Sequence, residues 1–264
     1  VENKGLDFSI DYVKRFNNDF DMSFKGTFTY AHNKVLEYDE PDFQKYPNIS
    51  RVGHSVDQQL LYIAERLFID DSEVQRNPKQ NLGGWVSGGD IKYKNLPDVN
   101  GNYDNVIDSN DRQYTGMPTT PEIVYGFGPS FRYKKFDFSF FFQGAARVSI
   151  MMNGIHPFGA EGTRNVLQFI ADDYWSETNQ NIYAEYPRLS KRDNENNTKA
   201  STYWQRNGAF LKLKNLEVGF NHKFFRVYLR GSNLLTFSPF KYWDPEMGSG
   251  SGLSYPTQRV FNVG

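Results

Sequence analysis
One pattern limits this chain more than any other: apolar and polar residues alternate with a period of two. Leu6, Phe8, Ile10 and Tyr12 alternate with Asp7, Ser9 and Asp11. Phe20, Met22, Phe24, Gly26, Phe28 and Tyr30 alternate with Asp21, Ser23, Lys25, Thr27 and Thr29. Ile123, Tyr125, Phe127, Phe131 and Tyr133 share a face. Phe136, Phe138, Phe140 and Phe142 oppose Asp137, Ser139 and Phe141, and Phe225, Val227 and Leu229 oppose Arg226, Tyr228 and Arg230. Successive side chains of a strand point to opposite faces, so this is strand periodicity and predicts an all-β chain. Residues 209–220 also read as a strand. Its alternation slips near Lys214 and Asn215, which predicts a bulge there.

Several of these segments reach about ten residues, the length a tilted strand needs to cross a bilayer; globular strands average about five or six. The composition agrees. Aromatic residues make up 17% of the 264, with 23 Phe and 17 Tyr, yet mean hydropathy is only −0.67. That combination suits strands with one apolar face and one wet face. The connections are lopsided. Residues 16–19 (FNND), 133–136 (YKKF) and 221–224 (NHKF) are tight, whereas 32–121, 146–207 and 238–255 are long. Short turns on one side and long loops on the other mark an outer-membrane barrel. A soluble all-β domain with functional loops is the competing architecture.

Parity extends the barrel reading. With the tight turns periplasmic, the spanning strands are 6–16, 18–31, 122–133, 136–149, 208–221, 224–237 and a last one from about 257. The apolar run LLYIAERLFI (60–69) then lies in an external loop. Seven lipid-facing strands cannot stand alone, because open edges would leave backbone groups unpaired in hydrocarbon. The chain is therefore expected to be part of a larger barrel.

Other function classes find little support. The formal charge is −1, from 30 basic and 31 acidic residues, and no basic run occurs, so no nucleic-acid partner is expected. Without cysteine there is no disulfide, thiolate catalysis or Cys-ligated zinc. No apolar run reaches 18 residues, and the opening VENKGLDFSI lacks the regions of a signal peptide. His32, His54, His156 and His222 are scattered, with His54 and His156 read as loop-surface residues. No zinc-protease, nucleophile-elbow, dinucleotide or P-loop motif appears, so no enzyme is expected.

Several ordered segments resemble one family. GDIKYKNL…NVIDSNDRQYTG is similar to the GDIKYKDLNGDGxIDxxDR segment of the SusC/RagA-type TonB-dependent transporters of the Bacteroidota outer membrane. PEIVYGFGPSFRYKKFDFSFFFQGA (121–145) resembles that family's paired strands, and YWSETNQNIYAEYPRL (174–189) its tryptophan loop. FLKLKNLEVGF (210–220), RVYLRGSNLLTFSPFKYWDPE (226–246) and YPTQRVFNVG (255–264) resemble its closing strands. The resemblance covers nearly the whole chain, so residues 1–264 are expected to be the C-terminal part of such a barrel, about seven of roughly 22 strands. The plug, the TonB box and the N-terminal domain are not in this sequence, and the last strand ends at Gly264 without the usual aromatic residue.

The resemblance implies an outer-membrane importer of oligosaccharides, or in some members peptides. A SusD-like surface lipoprotein would form its lid, and TonB would act through the N-terminal parts. It also implies a dimer of transporter–lid pairs. Its loops would supply substrate or lid contacts, because sugars stack on aromatic rings flanked by polar groups. The candidates are Tyr174 and Trp175 beside Asp172 and Asp173, then Tyr203, Trp204 and Arg206, and Tyr242 and Trp243 beside Asp244 and Glu246. The competing reading has the tryptophans bracing loops or sitting at the membrane interface. The tip Gly248–Gly252 reads as flexible. Two alternatives stand apart from the family: a soluble carbohydrate-binding or hydrolase β-domain with aromatic loops, and a surface adhesin.

The stretch GDIKYKNLPDVNGNYDNVIDSNDR (89–112) raises a separate question, because a calcium loop sets oxygen ligands at alternate positions around a glycine turn. Asp98, Asn100, Asn102, Asp104, Asp108 and Asp111 are candidate ligands for Ca²⁺ or Mg²⁺. Two extra residues and Tyr103 or Asn105 in the glycine position disturb the spacing. The competing reading is an Asx-rich turn. Nothing apolar surrounds these acids to make one a general acid.

Overall fold
The computed structural model describes residues 1–155, 157–158, 165–191 and 194–264; His156 lies outside them. Seven strands carry the architecture: β1 (Glu2–Arg15), β2 (Phe20–Lys34), β3 (Ile123–Tyr133), β4 (Phe136–Ala146), β5 (Phe210–His222), β6 (Phe225–Phe237) and β7 (Val260–Val263). They form one antiparallel sheet in chain order, each strand pairing with the next. The expected strands appear with ends shifted by a few residues, the last one short.

The tight connections fold as expected. At the first, the Asn17 side chain accepts the backbone N–H groups of Asp19 (2.8 Å) and Phe20 (2.9 Å), an Asx turn. Lys134, in the second, adopts φ 54. The bulge also falls where the alternation slips. The β5–β6 register shifts between Leu213 and Asn215, and the β4–β5 register between Phe141 and Phe142. Phe140 and Phe142 thus stay on one face while Phe141 turns to the other, its ring over Gly126.

Cross-strand partners show what each face carries. One face holds the row Met22–Phe131–Phe138–Val218–Leu229–Val263. Phe138, Val218, Leu229 and Val263 are all exposed, so this sheet turns its apolar side outward. The opposite face holds paired charges. Arg132 bonds Asp21, Arg226 reaches Asp137 (2.9 Å) and Glu217 (2.7 Å), and Arg230 donates to Asn215 (3.1 Å). A soluble domain would bury the first face and wet the second.

The apolar face has a definite height. At the tight-turn end, rings gather in a girdle: Phe16 stacks on Phe20 (5.0 Å), Phe20 meets Tyr133 (6.4 Å), Phe136 meets Phe220 (5.1 Å) and Phe220 meets Phe225 (6.4 Å). Along β2 the face runs from Phe20 to Tyr30. That is about 33 Å of strand, or about 25 Å once tilted by roughly 40°, the height of a barrel's lipid band. Phe138→Arg, within this band, is expected to cost about 2–4 kcal/mol, whereas Ser139→Arg on the wet face costs little. Heat-modifiable electrophoretic migration checks both: folded material should fall for the first variant and hold for the second.

Among the described residues no helix is long and apolar enough to cross a membrane. Among the described residues the sheet's outer edges, on β1 and β7, have no strand partner, so the sheet is a partial barrel wall.

The buried core lies in the long loops, not on the sheet. Leu61, Leu67, Ile91, Tyr93, Ile150 and Ile170 form its centre. The apolar run 60–69 sits here, as expected of a loop segment. It forms the short strands Gln59–Tyr62 and Ala64–Leu67, which pair with Arg112–Thr115 and Ile91–Tyr93. Apolar side chains that cannot face lipid or water thus build a cap of their own.

Candidate functional site in the loop cap
The first two long loops are joined by a buried polar knot. Asp90 is fully buried, and the Arg188 guanidinium donates to both its oxygens (2.8 and 3.1 Å). Asn197 Nδ2 (2.9 Å) and the Ser87 N–H (2.8 Å) donate to the same carboxylate. Trp85 lies over the Arg188 guanidinium at 4.1 Å. Beside it, Asn196 and Gln80 bond each other (2.7 Å) and both donate to the Ile91 carbonyl. Every partner satisfies another, as low-dielectric surroundings require.

A second knot secures the edge of the first loop. Asp70 caps the short helix Asp71–Arg76, accepting the Glu73 N–H. Burial works against the Glu73 charge, but bonds from Arg66, the Ile69 N–H and Lys92 overcome it and bring its pKa down to about 2. A carboxyl depressed on folding stabilises above its unfolded pKa of about 4.3 and loses that contribution as pH falls. Hydrogen exchange over 66–76 should therefore speed up between about pH 4.3 and 2, and Glu73→Gln should remove the dependence.

The predicted contact residues fall into two groups. Trp175 and Trp204 are buried, each 6% exposed. The Trp175 ring fills the space where a Cβ on Gly89 (φ 81) would sit, 2.2 Å away. Trp204 Nε1 donates to the Asn197 carbonyl (2.7 Å). Tyr174, half-buried, bridges to Tyr186. Packing occupies the two tryptophan rings, so they brace the cap, whereas Tyr174 sits partly exposed at the edge of that core.

The other group converges on a charged patch. Arg206 donates to Glu185 (3.0 Å), and the Tyr242 hydroxyl donates to the same carboxylate. Tyr203 hydroxyl donates to the Ala184 carbonyl (2.7 Å), and its ring meets Trp204 at 4.9 Å. Burial pushes the Tyr203 phenol well up; burial, then the Glu185 bond, raises Tyr242. Both phenols are therefore neutral donors. Glu65, Arg66 and Tyr183 complete an open depression of about 230 Å³. Trp243 lies farther along, with Nε1 on the Gly248 carbonyl (3.0 Å) and its ring over Gly252 (φ 71). Sequence reasoning missed Glu185 and Tyr183: they lie inside the tryptophan-loop segment 174–189, but nothing in it singles them out, and Glu185 meets Arg206 and Tyr242 only through folding.

The Asp/Asn stretch does not fit a divalent cation. Asp98 accepts the Asn100 and Asn102 N–H groups, both at 2.9 Å. Asp104 accepts Val106 N–H (3.0 Å) and Asp108 accepts Asn110 N–H (2.8 Å). Asp111 accepts from Leu96 (2.6 Å) and Asp108 (2.8 Å). Asn105 takes φ 60 at the glycine-like position. Asp98, Asp104 and Asp108 thus form successive Asx turns, and Asp111 ties two backbone N–H groups that precede it, so these carboxylates are engaged by backbone N–H groups. Among the described residues no three acidic or histidine side chains gather as a metal group.

No family profile matches the chain. Curated relatives match over its whole length. It is 28% identical to TonB-dependent receptor P3 of Formosa agariphila, covering 28% of that protein. It is 24% identical to TonB-dependent receptor SusC of Bacteroides thetaiotaomicron, covering 26%. Among solved structures, that of the RagAB peptide importer in its open-open state superposes with a TM-score of 0.67 at 18% identity, over 99% of this chain and 28% of that one. The chain thus spans little more than a quarter of the proteins it matches. Its meandering sheet with an outward apolar face and paired inner charges is the wall that such barrels require, and over its whole length the chain is similar to a segment of the barrel of the SusC/RagA-type TonB-dependent receptors.

Proposed function
We propose that this chain forms wall and external loops of an outer-membrane importer that takes up oligosaccharides or peptides beneath a SusD-like lipoprotein lid. The observation that carries the reading is the outward apolar band, about 25 Å tall, closed below by an aromatic girdle. Lipid is the environment that rewards such a face. The rest of the barrel covers the edges of β1 and β7, and TonB acts through parts of the receptor beyond this segment.

Within the cap, Tyr203, Arg206, Tyr242 and Glu185 offer ring faces beside a charged pair, the chemistry that binds a sugar or a peptide backbone. We assign them, with Tyr174 and Trp243, to substrate or lid contact, with Trp175 and Trp204 supporting them from beneath. Native mass spectrometry of the detergent-extracted complex tests this. A co-purifying lipoprotein with a ligand ladder of hexose spacing means a glycan importer. A lipoprotein with heterogeneous amino-acid masses means a peptide importer. A lone species that needs no detergent overturns the proposal in favour of a soluble β-domain.

A further inference from the structure
We propose that the outer face of β1 and β2 is a binding site for a lipid with a phosphorylated headgroup; the inference rests on the membrane-barrel reading above. The register sets the site out row by row. Opposed residues share a face, so the outward side of this pair carries Glu2–Lys34, then Lys4–His32, Leu6–Tyr30, Phe8–Phe28 and Ile10–Gly26 in order from the external rim. Charged rows thus stand directly above apolar rows. The step from Lys4 to Phe8 is about 13 Å along the strand, the order of the distance from a lipid phosphate into its acyl chains.

Both halves have matching shape. Gly26 leaves a gap among Phe8, Ile10, Phe28, Tyr125 and Phe127, an open depression of about 460 Å³. A Cβ at Gly26 would meet Ile10 Cγ2 at 3.0 Å, so the hollow exists because glycine stands there. It is sized for hydrocarbon and offers nothing polar. At the rim, Glu122 holds His32 and Arg147, each at 2.5 Å. Its carboxylate is 4% exposed while the Arg147 side chain is 44% exposed. Lys4, paired with Glu2 at 3.0 Å, is 74% exposed, and Lys34 is exposed as well. Glu122 is tucked in, while Glu2 is 42% exposed beside Lys4; Lys4, Lys34 and Arg147 set against these two carboxylates leave the rim net positive. The outer rim of β5 and β6 differs: Leu211, Leu235 and Phe237 stand there with no basic residue. Any strand added at the β1 edge extends the wall sideways and leaves this face toward lipid.

The test uses the full-length receptor, delipidated and reloaded from vesicles of either diphosphoryl lipid A or phosphatidylcholine, with bound lipids counted by native mass spectrometry. The lysine pair should favour the phosphorylated lipid by on the order of tenfold. Lys4→Gln with Lys34→Gln should abolish that preference, and Gly26→Leu should lower retention by filling the hollow. Lys223→Gln, at the opposite end of the wall, should change nothing. Equal retention of the two lipids, or a double variant that still prefers lipid A, would overturn the site. Heat-modifiable migration of each variant shows that the barrel has formed. A wild-type receptor lacking it would overturn the membrane reading instead.

Discussion

Asp90→Ala is expected to uncouple the first two external loops while leaving the barrel wall intact. The substitution strands the Arg188 guanidinium and removes the acceptor for Asn197 and for the Ser87 N–H. Breaking a buried ion pair from one side costs about 3–5 kcal/mol, because the remaining charge stays desolvated. Read as hydrogen-exchange protection, that is a loss of roughly two to three and a half orders of magnitude in 87–93 and in 186–191 and 194–198. Heat-modifiable migration should not change, since none of these groups belongs to the sheet. Replacing both partners, as in Asp90→Leu with Arg188→Met, should recover much of the protection, because an apolar pair of similar volume avoids the desolvation. Unchanged exchange in Asp90→Ala would mean that apolar packing alone joins the loops.

The wall was legible because its cause is local. Each strand residue reports its own face through alternation, and even the bulge announced itself where Lys214 and Asn215 broke the pattern. The cap was legible only as "long loops". Its decisive contacts join residues far apart, such as Asp90 with Arg188 and Ala64 N–H with the Thr202 hydroxyl. Nothing local distinguishes Asp90, fully buried, from Asp98 a few residues on, which caps its own turn. The tryptophans show the same limit. Composition marks Trp175 and Trp204 as loop aromatics, but only packing shows that they are interior. Tyr203, adjacent to Trp204, keeps part of its surface because the two rings leave the turn at 202–204 in different directions, nearly perpendicular to each other. Likewise the oxygen-rich spacing of 98–111 fits a cation loop and an Asx turn equally well. Backbone N–H groups decide between them, and they are invisible to a pattern of side chains.

Lys212→Met should release the third loop from the wet face of the wall, and its pH dependence should reverse. Lys212 is 1% exposed on β5, with Nζ 2.5 Å from both Asp244 and Glu246. Lys214 supports Glu246 alone, at 2.9 Å, so the variant leaves Asp244 without a cation. The expected cost is again about 3–5 kcal/mol, now confined to docking of 238–255. In the wild type burial opposes the Asp244 charge, but the Lys212 bond prevails and holds its carboxyl below the ordinary range. A depressed carboxyl contributes stability above its unfolded pKa of about 3.9 and loses it as pH falls through the folded value. Wild-type docking should therefore weaken below about pH 4. In Lys212→Met, burial, the largest influence on Asp244, is opposed only by the Glu246 N–H and Thr257 bonds; the carboxyl is expected to rise, so acidification neutralises it and docking should strengthen. Limited proteolysis at the Gly248–Gly252 tip, with proteases active across the range and followed from pH 7 to about 2, reads both signs. Cleavage equally slow in both proteins would show that Phe240 and Trp243 packing holds this loop without the ion pairs; opposite pH trends would show that a buried lysine on the wall sets the position of the loop above it.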